Sequence, residues 1–455
     1  MYEGLMVSVS GVRGRVGEAL TPEVVATFAA GFGAWARARG KSSTIVVGRD
    51  SRVSGPMFHR IVLGALQSVG CRVVDVGMAP TPTIQLAVED LHAAGGLAIT
   101  ASHNPVEWNA LKFIGPSGLF LEADEGTEMR RSIEAGIARA TWDRLGEIET
   151  DTGAVARHIE RVLSVPFIDV EGIRRRNFHV ALDCVRGAGG AIMLALLERL
   201  GCRVTAINLE ADGRFPRPPE PVAENLGDLE RLVRSSGAAV GLAVDPDVDR
   251  LALVADDGRA IGEDYTLALA AREVLRHRKG SVVVNLSTSR IVEDVAAEAG
   301  ARVIRAPVGE VNVAARMRQE NSPIGGEGNG GVILSELHLG RDAPVGAALL
   351  LQMLHEDGRP LSEIVADYPR YVIVKDKLDR PRASLEIVYD ALRTTFPDAS
   401  PDMQDGLRLA WPDRWVHIRP SGTEPIVRVI AEARSAAQAR DLIARSRAPL
   451  DALSL

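Results

Sequence analysis

Cysteine and aromatic residues are scarce in this chain. Its 455 residues include three cysteines, Cys71, Cys184 and Cys202, and no Cys-x-x-Cys spacing. An odd number of scattered cysteines argues against a disulfide framework, so we expect reduced thiols in a reducing compartment. Phe, Trp and Tyr make up 4% of the residues, which is too few for a base-stacking surface that binds single-stranded nucleic acid.

Excess positive charge and long apolar runs are also absent. Lys and Arg number 53 against 60 Asp and Glu, and the net charge of −7 argues against nucleic-acid binding, which needs a basic surface. No apolar run approaches the roughly 18 residues of a membrane span, and the first residues lack the basic-then-apolar pattern of a leader. We therefore expect a cytoplasmic protein with no membrane or nucleic-acid partner.

An internal repeat gives the first positive indication of the fold. A helix-like stretch that ends in Gly, then a small residue and Arg-Val, occurs at residues 65–77, 196–208 and 296–309. The residue just after the C-terminus of a helix often adopts the left-handed conformation, which glycine tolerates best. Gly70, Gly201 and Gly300 occupy that position in the three copies. Because an apolar, strand-like run precedes each copy, each predicts a βαβ unit in a sheet covered on both faces.

The repeats predict three homologous α/β domains, followed by a domain of a different kind. After residue 368 the unit does not recur, and four strand-like runs with one final helix indicate a smaller α+β domain. The predicted domains span residues 1–150, 151–255, 256–368 and 369–455.

The first repeat leads to a candidate nucleophile. An apolar run ends in Ser102, His103, Asn104 and Pro105, and a hydroxyl just past a strand end is where ligands bind in open α/β sheets. The Asn-Pro pair predicts a turn that presents Ser102 on a tight loop; the alternative is an ordinary solvated turn. Ser102 and His103 do not form a triad, because adjacent side chains seldom make the required hydrogen bond.

The second repeat leads to a candidate metal site. Asp245, Asp247 and Asp249 alternate along the chain, and an extended backbone points all three carboxylates to one side. Such carboxylates repel one another unless a hard cation holds them, and a set without His or Cys favours Mg²⁺ over Zn²⁺. The alternative is a solvated acidic turn. The sequence argues against an EF-hand, because Arg250 stands where that loop needs Gly and the flanking runs are strand-like instead of helical.

Two further loops carry ligand-binding residue types. In the Gly-rich segment 325–331, Glu327 and Asn329 could contact adjacent hydroxyls of a polyol, although a flexible loop is the alternative. Near the C-terminus, two guanidiniums, two hydroxyls and the backbone around a glycine could form an anion site, against the alternative of a turn with a surface salt bridge. The residues of this second set are Arg419, Ser421, Gly422, Thr423 and Arg428. A nucleophile, a cation site, a hydroxyl-binding loop and a phosphate site together indicate phosphoryl transfer to or from a phosphorylated sugar.

These motifs resemble those of the α-D-phosphohexomutase family. The resemblance runs in the family's order through residues 10–14 and the segments TASHNP, DPDVDR, GGEGNGG and RPSGTEP, and so covers nearly the whole chain. It implies three homologous domains and a smaller fourth domain around a central cleft. It also implies a reaction that moves a phosphoryl group between O6 and O1 of a hexose phosphate through a hexose 1,6-bisphosphate, which serves as activator.

The resemblance assigns a role to each candidate residue. Ser102 carries the phosphoryl group, and Mg²⁺ joins that phosphate to the three aspartates of the DPDVDR segment. The other catalytic candidates are Lys112, Arg13 and His103, of which the first two could instead be surface cations. Arg250 is expected to steady the phosphoserine or its own loop. The sugar hydroxyls are assigned to Glu327 and Asn329, and the second phosphate to Arg419, Ser421, Gly422, Thr423 and Arg428.

Two departures from the family pattern affect the expected chemistry. Many relatives have Ser and His where this chain has Asn329 and Gly331, which leaves His338 or no residue for a second acid–base role. Pro246 replaces a common Gly and should stiffen the aspartate loop. The GEGNGG form favours a glucosamine phosphate as substrate, with a mannose or glucose phosphate as the alternative. We expect a monomer or a homodimer.

Two other classes of protein fit part of the sequence. A haloacid-dehalogenase-type phosphatase would use Asp245 as its nucleophile, but it leaves Ser102 and the Arg419 loop without a role. A non-catalytic phosphosugar-binding protein would tolerate Gly331, and it predicts binding without exchange of the phosphate position.

Overall fold

The computed structural model describes residues 4–8, 11–40, 42–421 and 426–452. These residues form four sheets, each with its own helices. Among them no helix is both long and apolar enough to cross a membrane. The three cysteines are free, and burial raises the pKa of the Cys71 thiol to about 11 and that of Cys202 to about 12, which makes both poor nucleophiles.

The first domain is built on a seven-stranded sheet of order β1-β2-β6-β5-β3-β4-β7. Its strands are β1 (Met6–Val7), β2 (Gly11–Arg15), β3 (Thr44–Arg49), β4 (Arg72–Met78), β5 (Gly95–Ile99), β6 (Trp108–Ile114) and β7 (Ile148–Thr150). Its helices are α1 (Pro22–Arg39), α2 (Gly55–Gln67), α3 (Thr81–Asp90) and α4 (Ala123–Ala135). In β3, Ile45 and Val47 pack in the cluster that contains α1 and α2, whereas Val46 packs with α3 on the opposite face. The sheet is therefore covered on both faces, as predicted.

The second and third domains are built on four-stranded sheets. The second sheet comprises β8 (His179–Asp183), β9 (Arg203–Ile207), β10 (Val240–Val244) and β11 (Leu251–Ala255), with helices α5 (Ala154–Leu163), α6 (Val170–Arg176), α7 (Gly189–Arg199) and α8 (Gly227–Ser236). The third comprises β12 (Val282–Asn285), β13 (Val303–Ala306), β14 (Ile324–Glu327) and β15 (Gly331–Leu334), with helices α9 (Asp264–His277), α10 (Ile291–Glu298), α11 (Glu310–Glu320), α12 (Ala343–Asp357) and α13 (Leu361–Ala366).

The same strand order occurs in all three of these domains. It is β4-β3-β5-β6 in the first, β9-β8-β10-β11 in the second and β13-β12-β14-β15 in the third. In each, the last strand pairs antiparallel with the strand before it, and the others run parallel. The repeat glycines adopt the predicted left-handed conformation, with φ of 76° at Gly70, 72° at Gly201 and 63° at Gly300. The prediction of three homologous α/β domains is confirmed.

The fourth domain has a five-stranded antiparallel sheet of order β16-β20-β19-β18-β17. Its elements are β16 (Val372–Asp379), α14 (Leu385–Thr395), β17 (Ser400–Asp402), β18 (Leu407–Ala410), β19 (Trp415–Pro420), β20 (Ile426–Ala433) and α15 (Ala436–Ala452). Both helices pack on the sheet around a separate core. This agrees with the predicted smaller α+β domain, while the exact domain limits stay a prediction.

Candidate active site

Three equivalent hairpin loops carry residues of the predicted site. Each connects the last two strands of its sheet: β5 to β6 carries Ser102, β10 to β11 carries the aspartates, and β14 to β15 carries Asn329. The first two loops meet where Ser102 Oγ donates a hydrogen bond to Asp245 Oδ2 at 2.9 Å. The second and third are joined by Arg341, which contacts both Asp249 and Glu327. The common topology of the domains thus brings residues from three separate segments together.

Ser102 is held on a strained and tightly bonded turn. It is 6% exposed, its φ is +48°, and its amide donates to Thr100 Oγ1 at 2.9 Å. The fully buried guanidinium of Arg52 donates to the carbonyl of Ser102 at 2.6 Å and pairs with Asp50 Oδ2 at 3.1 Å. It also donates to the carbonyls of Asn104, Pro105 and Trp108. A left-handed non-glycine residue fixed in this way is typical of a functional site.

Arg52 was not identified from the sequence. It is the third residue after the end of β3, at the same edge of the sheet as Ser102, but a single arginine after a strand is too common to be recognised as a loop anchor.

The aspartate loop fits a magnesium ion. Asp245, Asp247 and Asp249 are at most 1% exposed, and one oxygen from each lies within 4.8 Å of the others. Asp247 Oδ1 and Asp249 Oδ1 are buried and have no hydrogen-bond partner, which is costly unless a cation binds them. An all-oxygen set of this kind suits Mg²⁺. Burial, and then the charges of Asp249 and Asp247, raise the pKa of Asp245 well above its ordinary value.

Lys112 on β6 is paired with the aspartate loop. Its Nζ donates to Asp247 Oδ2 at 2.7 Å and lies 3.9 Å from Asp249 Oδ2. Burial by itself lowers the pKa of Lys112, but the charges of Asp247 and Asp249 outweigh burial and raise it. The same ammonium holds the pKa of Asp247 below its ordinary value against the effect of burial. Thr81, which the sequence did not indicate, donates its hydroxyl to the same oxygen of Asp247 at 2.7 Å.

Cations from three domains surround the serine loop. Arg13 Nη1 donates to Asn104 Oδ1 at 2.8 Å, and burial followed by the charges of Arg250 and Arg428 lowers the pKa of Arg13. Arg250 Nη1 donates to Glu220 Oε1 at 3.2 Å. Mutually repelling guanidiniums of this kind are stabilised by an anion between them.

His103 also lies beside the serine. Its Nδ1 is 3.4 Å from Ser102 Oγ, and its Nε2 is 4.0 Å from Glu220 Oε1. Burial, and then the charge of Arg250, lower the pKa of His103 well below its ordinary value. The imidazole is therefore neutral at pH 7.

Glu327 and Asn329 are largely bonded to the protein. Glu327 is 4% exposed, and its Oε1 accepts from Asn285 Nδ2 at 2.9 Å and from the amide of Gly309 at 3.1 Å. Asn329 Oδ1 accepts from the amide of Gly331 at 3.2 Å, and its Nδ2 lies 3.4 Å from Glu327 Oε2. Of the two, the half-buried Asn329 is the more accessible to a sugar hydroxyl.

Arg341 occupies the space that a side chain at position 331 would need. A Cβ atom on Gly331 would lie 2.3 Å from Arg341 Cδ. The guanidinium donates to Asp249 Oδ2 at 2.5 Å and to Glu327 Oε2 at 2.6 Å, and its Nε lies 3.1 Å from Glu310 Oε2. Arg341 was not predicted, because a lone arginine between a strand and a helix carries no recognisable pattern.

Both ring nitrogens of His338 contact other groups of the protein. Its Nε2 lies 3.1 Å from Asp342 Oδ2, and its Nδ1 accepts from the amide of Gly340 at 3.3 Å. The same Asp342 oxygen is 2.7 Å from His158 Nε2, and all three side chains are buried. Both ring nitrogens of His338 are thus occupied, so it is unsuited to the second acid–base role.

The fourth domain places its two arginines side by side. Arg419 on β19 and Arg428 on β20 are paired across the strands, and Arg419 Nε lies 3.3 Å from Asp405 Oδ2. The amide of Ser421 donates to the carbonyl of Ile426 at the end of this hairpin. The predicted residues Gly422 and Thr423 lie outside the described part of the chain.

Comparison with known families identifies the class of protein. The chain matches "Phosphoglucomutase/phosphomannomutase, alpha/beta/alpha domain I" over residues 5–140, domain II of the same description over 156–258, domain III over 262–371 and the C-terminal domain over 372–448. Together these matches cover most of the chain. The protein belongs to the α-D-phosphohexomutase family, whose members are intramolecular phosphotransferases of the isomerase class.

Individual relatives agree with this assignment. A "Probable phosphoglucosamine mutase" of Methanopyrus kandleri is 38% identical over 447 residues, with 96% of each chain covered. A "Phosphoglucomutase/phosphomannomutase" of Thermococcus kodakarensis is 37% identical over 448 residues, with 97% of each covered. The crystal structure of a phosphoglucomutase/phosphomannomutase family protein from Burkholderia thailandensis superimposes with a TM-score of 0.85 at 28% identity and 98% coverage of both chains. The resemblance drawn from the sequence is confirmed, and the phosphatase and the non-catalytic binding protein are set aside.

Proposed function

We propose that this phosphohexomutase moves a phosphoryl group between O6 and O1 of glucosamine phosphate, with Ser102 as the covalent carrier and a 1,6-bisphosphate as intermediate. The observation that carries the proposal is the 2.9 Å hydrogen bond from Ser102 Oγ to Asp245 Oδ2. It joins the nucleophilic oxygen to the carboxylates that can hold a cation, which is the arrangement that phosphoryl transfer requires.

The transfer itself exchanges one P–O bond for another. In the first half, a sugar hydroxyl oxygen attacks the phosphorus of phosphorylated Ser102, the bond to Ser102 Oγ breaks, and the proton lost by the sugar hydroxyl is replaced by one gained at Ser102 Oγ. In the second half, Ser102 Oγ loses that proton as it attacks the other phosphate of the bisphosphate, and the departing sugar oxygen takes up a proton. Neutral His103, with Nδ1 3.4 Å from Ser102 Oγ, is placed to exchange that proton.

The charge of the transferred group is balanced by the aspartate loop and its neighbours. Asp245, Asp247 and Asp249 would hold Mg²⁺, which when bound offsets negative charge on the phosphoryl oxygens. The Lys112 ammonium, 2.7 Å from Asp247 Oδ2, keeps that carboxylate ionised and ready to bind the metal. Arg250 donates its amide to Asp245 Oδ1 at 3.3 Å and so holds the backbone of the loop around the same carboxylate.

The phosphate that does not react is assigned to the fourth domain. Arg419 and Arg428 are cross-strand neighbours, and Arg428 acts electrostatically on Arg13 beside the serine loop. A single phosphate site facing a single serine lets the bisphosphate bind in two orientations, so both ends of the sugar can reach Ser102 in turn. Gly422 and Thr423, which lie outside the described residues, are assigned to this site on the family pattern alone.

Glucosamine is favoured as the sugar by the relatives. Several archaeal proteins of 33–38% identity are named probable phosphoglucosamine mutase. A phosphomannomutase or phosphoglucomutase activity is the second candidate, because the Thermococcus kodakarensis relative at 37% identity carries that name.

Initial rates with three substrates test the choice of sugar. We expect kcat/KM for glucosamine 6-phosphate, in the presence of Mg²⁺ and the matching 1,6-bisphosphate, to exceed that for mannose 6-phosphate and glucose 6-phosphate. A higher kcat/KM for mannose 6-phosphate or glucose 6-phosphate would show that glucosamine 6-phosphate is not the preferred substrate, but it would leave the proposed mechanism unchanged. Intact-mass measurement tests the mechanism separately: an acid-stable phosphate on Ser102 is expected, and turnover without it would refute the covalent carrier.

A further inference from the structure

Two helices of the third domain bring metal-binding side chains together at their C-terminal ends. Glu273 and His277 lie one turn apart near the end of α9, and Glu356 lies near the end of α12. One ligand atom from each lies within 4.8 Å of the others. Asp264, the first residue of α9, accepts from the amide of Ser289 beside the active-site loops, and 14 helical residues span about 20 Å. The cluster is therefore remote from Ser102.

The distances within the cluster suit a shared cation. His277 Nε2 lies 3.0 Å from Glu273 Oε1 and 3.1 Å from Glu356 Oε1. A single imidazole N–H cannot make two equally good hydrogen bonds, so one of these contacts is unexplained by hydrogen bonding. Ligand atoms about 2.0 to 2.1 Å from a tetrahedral zinc ion are about 3.3 to 3.4 Å apart, so a shift of about 0.3 Å would bring both contacts to that separation.

The two carboxylates of this site share one guanidinium that hydrogen-bonds to neither. The side chain of Glu273 is fully buried and its Oε2 makes no hydrogen bond, while Arg276 Nη1 lies 3.6 Å from Glu273 Oε2 and 3.6 Å from Glu356 Oε2. A buried carboxylate that faces a second carboxylate is stabilised by a bound cation.

Neighbouring groups hold the ligands in orientation and leave a route for an ion. Gln352 Nε2 donates to Glu356 Oε1 at 2.8 Å, and the ring of Phe167 stacks on that of His277 with centroids 5.0 Å apart. Groups that orient ligands in this way are typical of metal sites. The side chains of His277 and Glu356 are 25% and 29% exposed, so an ion and a coordinating water can enter from solvent.

We propose that Glu273, His277 and Glu356 bind one Zn²⁺ ion, which links the ends of α9 and α12 as a structural site. One imidazole nitrogen and two carboxylate oxygens, completed by water, form a ligand set suited to tetrahedral zinc. Mg²⁺ prefers oxygen ligands only and belongs at the aspartate loop. The protein thus carries two sites of different selectivity, at opposite ends of the same helices.

Calorimetric titration of the metal-free full-length protein tests the proposal. With Mg²⁺ in excess to occupy the aspartate loop, we expect one equivalent of Zn²⁺ to bind the unmodified protein. Binding should weaken at least about tenfold in His277→Ala and Glu356→Gln, each of which removes a ligand. His355→Ala is the matched control, because His355 lies on α12 beside Glu356 but has one carboxylate partner, Asp169 Oδ2 at 3.6 Å. Equal Zn²⁺ binding by all four proteins would overturn the proposal.

A second measurement needs no variant. Diethyl pyrocarbonate acylates accessible imidazoles, and peptide mass spectrometry locates the modified residues. Zn²⁺ should protect His277 from acylation and leave His355, which is 23% exposed, as reactive as before. Unchanged reactivity of His277 in saturating Zn²⁺ would refute the site. Mutase activity in Mg²⁺ should be the same in His277→Ala as in the unmodified protein, because the cluster lies far from Ser102.

Discussion

Ser102 Oγ and Asp245 Oδ2 are 2.9 Å apart, although 143 residues separate them in the chain. Each residue lies in the loop between the last two strands of its sheet, and those sheets share one strand order. The contact therefore follows from the packing of two homologous domains with their equivalent edges together. It joins the proposed nucleophile to the proposed metal site.

Removal of the Ser102 hydroxyl should abolish turnover. Ser102→Ala is expected to lower kcat with glucosamine 6-phosphate by roughly 10⁴-fold or more, as loss of a nucleophile does in other enzymes with covalent intermediates. Steady-state kinetics and intact mass measure the effect, and the phosphate should be missing from the variant. Ser117→Ala, at an exposed turn of the same domain, should keep full activity. A phosphorylated and active Ser102→Ala protein would contradict the assignment.

Magnesium should stabilise the protein through the aspartate loop. Binding of Mg²⁺ relieves the repulsion among Asp245, Asp247 and Asp249, so the Tm should rise with Mg²⁺ concentration, and EDTA should remove activity until Mg²⁺ is added back. Asp249→Asn should reduce the Mg²⁺-dependent rise in Tm. Asp257→Asn, at an exposed position after β11, is the control and should leave it intact. A rise of the same size in both variants would place the stabilising ion elsewhere.

Loss of Arg341 should destabilise the folded protein. Its guanidinium contacts Asp249, Glu327 and Glu310, all buried, so Arg341→Met leaves carboxylates without their cation and should cost about 3 to 5 kcal/mol in urea unfolding. Arg393→Gln removes an exposed pair with Asp390 and should cost under about 1 kcal/mol. Similar costs for the two variants would show that Arg341 does not link the loops.

His417 should make the contact between the third and fourth domains sensitive to acid. Its Nδ1 lies 2.9 Å from Ser287 Oγ and its Nε2 lies 2.6 Å from the carbonyl of Asp405, and burial lowers the pKa of His417 to about 4. A depressed histidine pKa means that the folded protein binds fewer protons than the unfolded chain. Stability is therefore present above pH 6.5 and is lost as the pH falls towards 4, by up to about 3 kcal/mol from this group.

Urea unfolding at pH 7 and pH 5 measures this contribution. The fall in the free energy of unfolding between the two pH values should be smaller in His417→Gln than in the unmodified protein. His92→Gln, at an exposed position, should behave as the unmodified protein does. An identical fall in His417→Gln would assign the acid sensitivity to other groups.

The repeats, the loops and the family could be predicted from the sequence because they depend on neighbouring residues. Apolar runs, a glycine at each helix end and polar loops after strands are local patterns, and Gly70, Gly201 and Gly300 adopt the predicted conformation. The site residues were likewise recognised from short motifs. Their roles stay predictions. The Glu327 carboxylate already accepts hydrogen bonds from Asn285, Gly309 and Arg341, which leaves it less free to bind a sugar hydroxyl than the sequence predicts.

Only the tertiary structure decided which side chains meet across the chain. Arg341 lies in the space next to Gly331 and joins two loops, Arg52 anchors the serine turn, and both ring nitrogens of His338 are bonded to Asp342 and Gly340. The proposed zinc cluster likewise depends on two helices ending side by side. Local conformational preference is encoded in adjacent residues, whereas the packing of distant segments depends on how whole domains fit together, and no short motif records that arrangement.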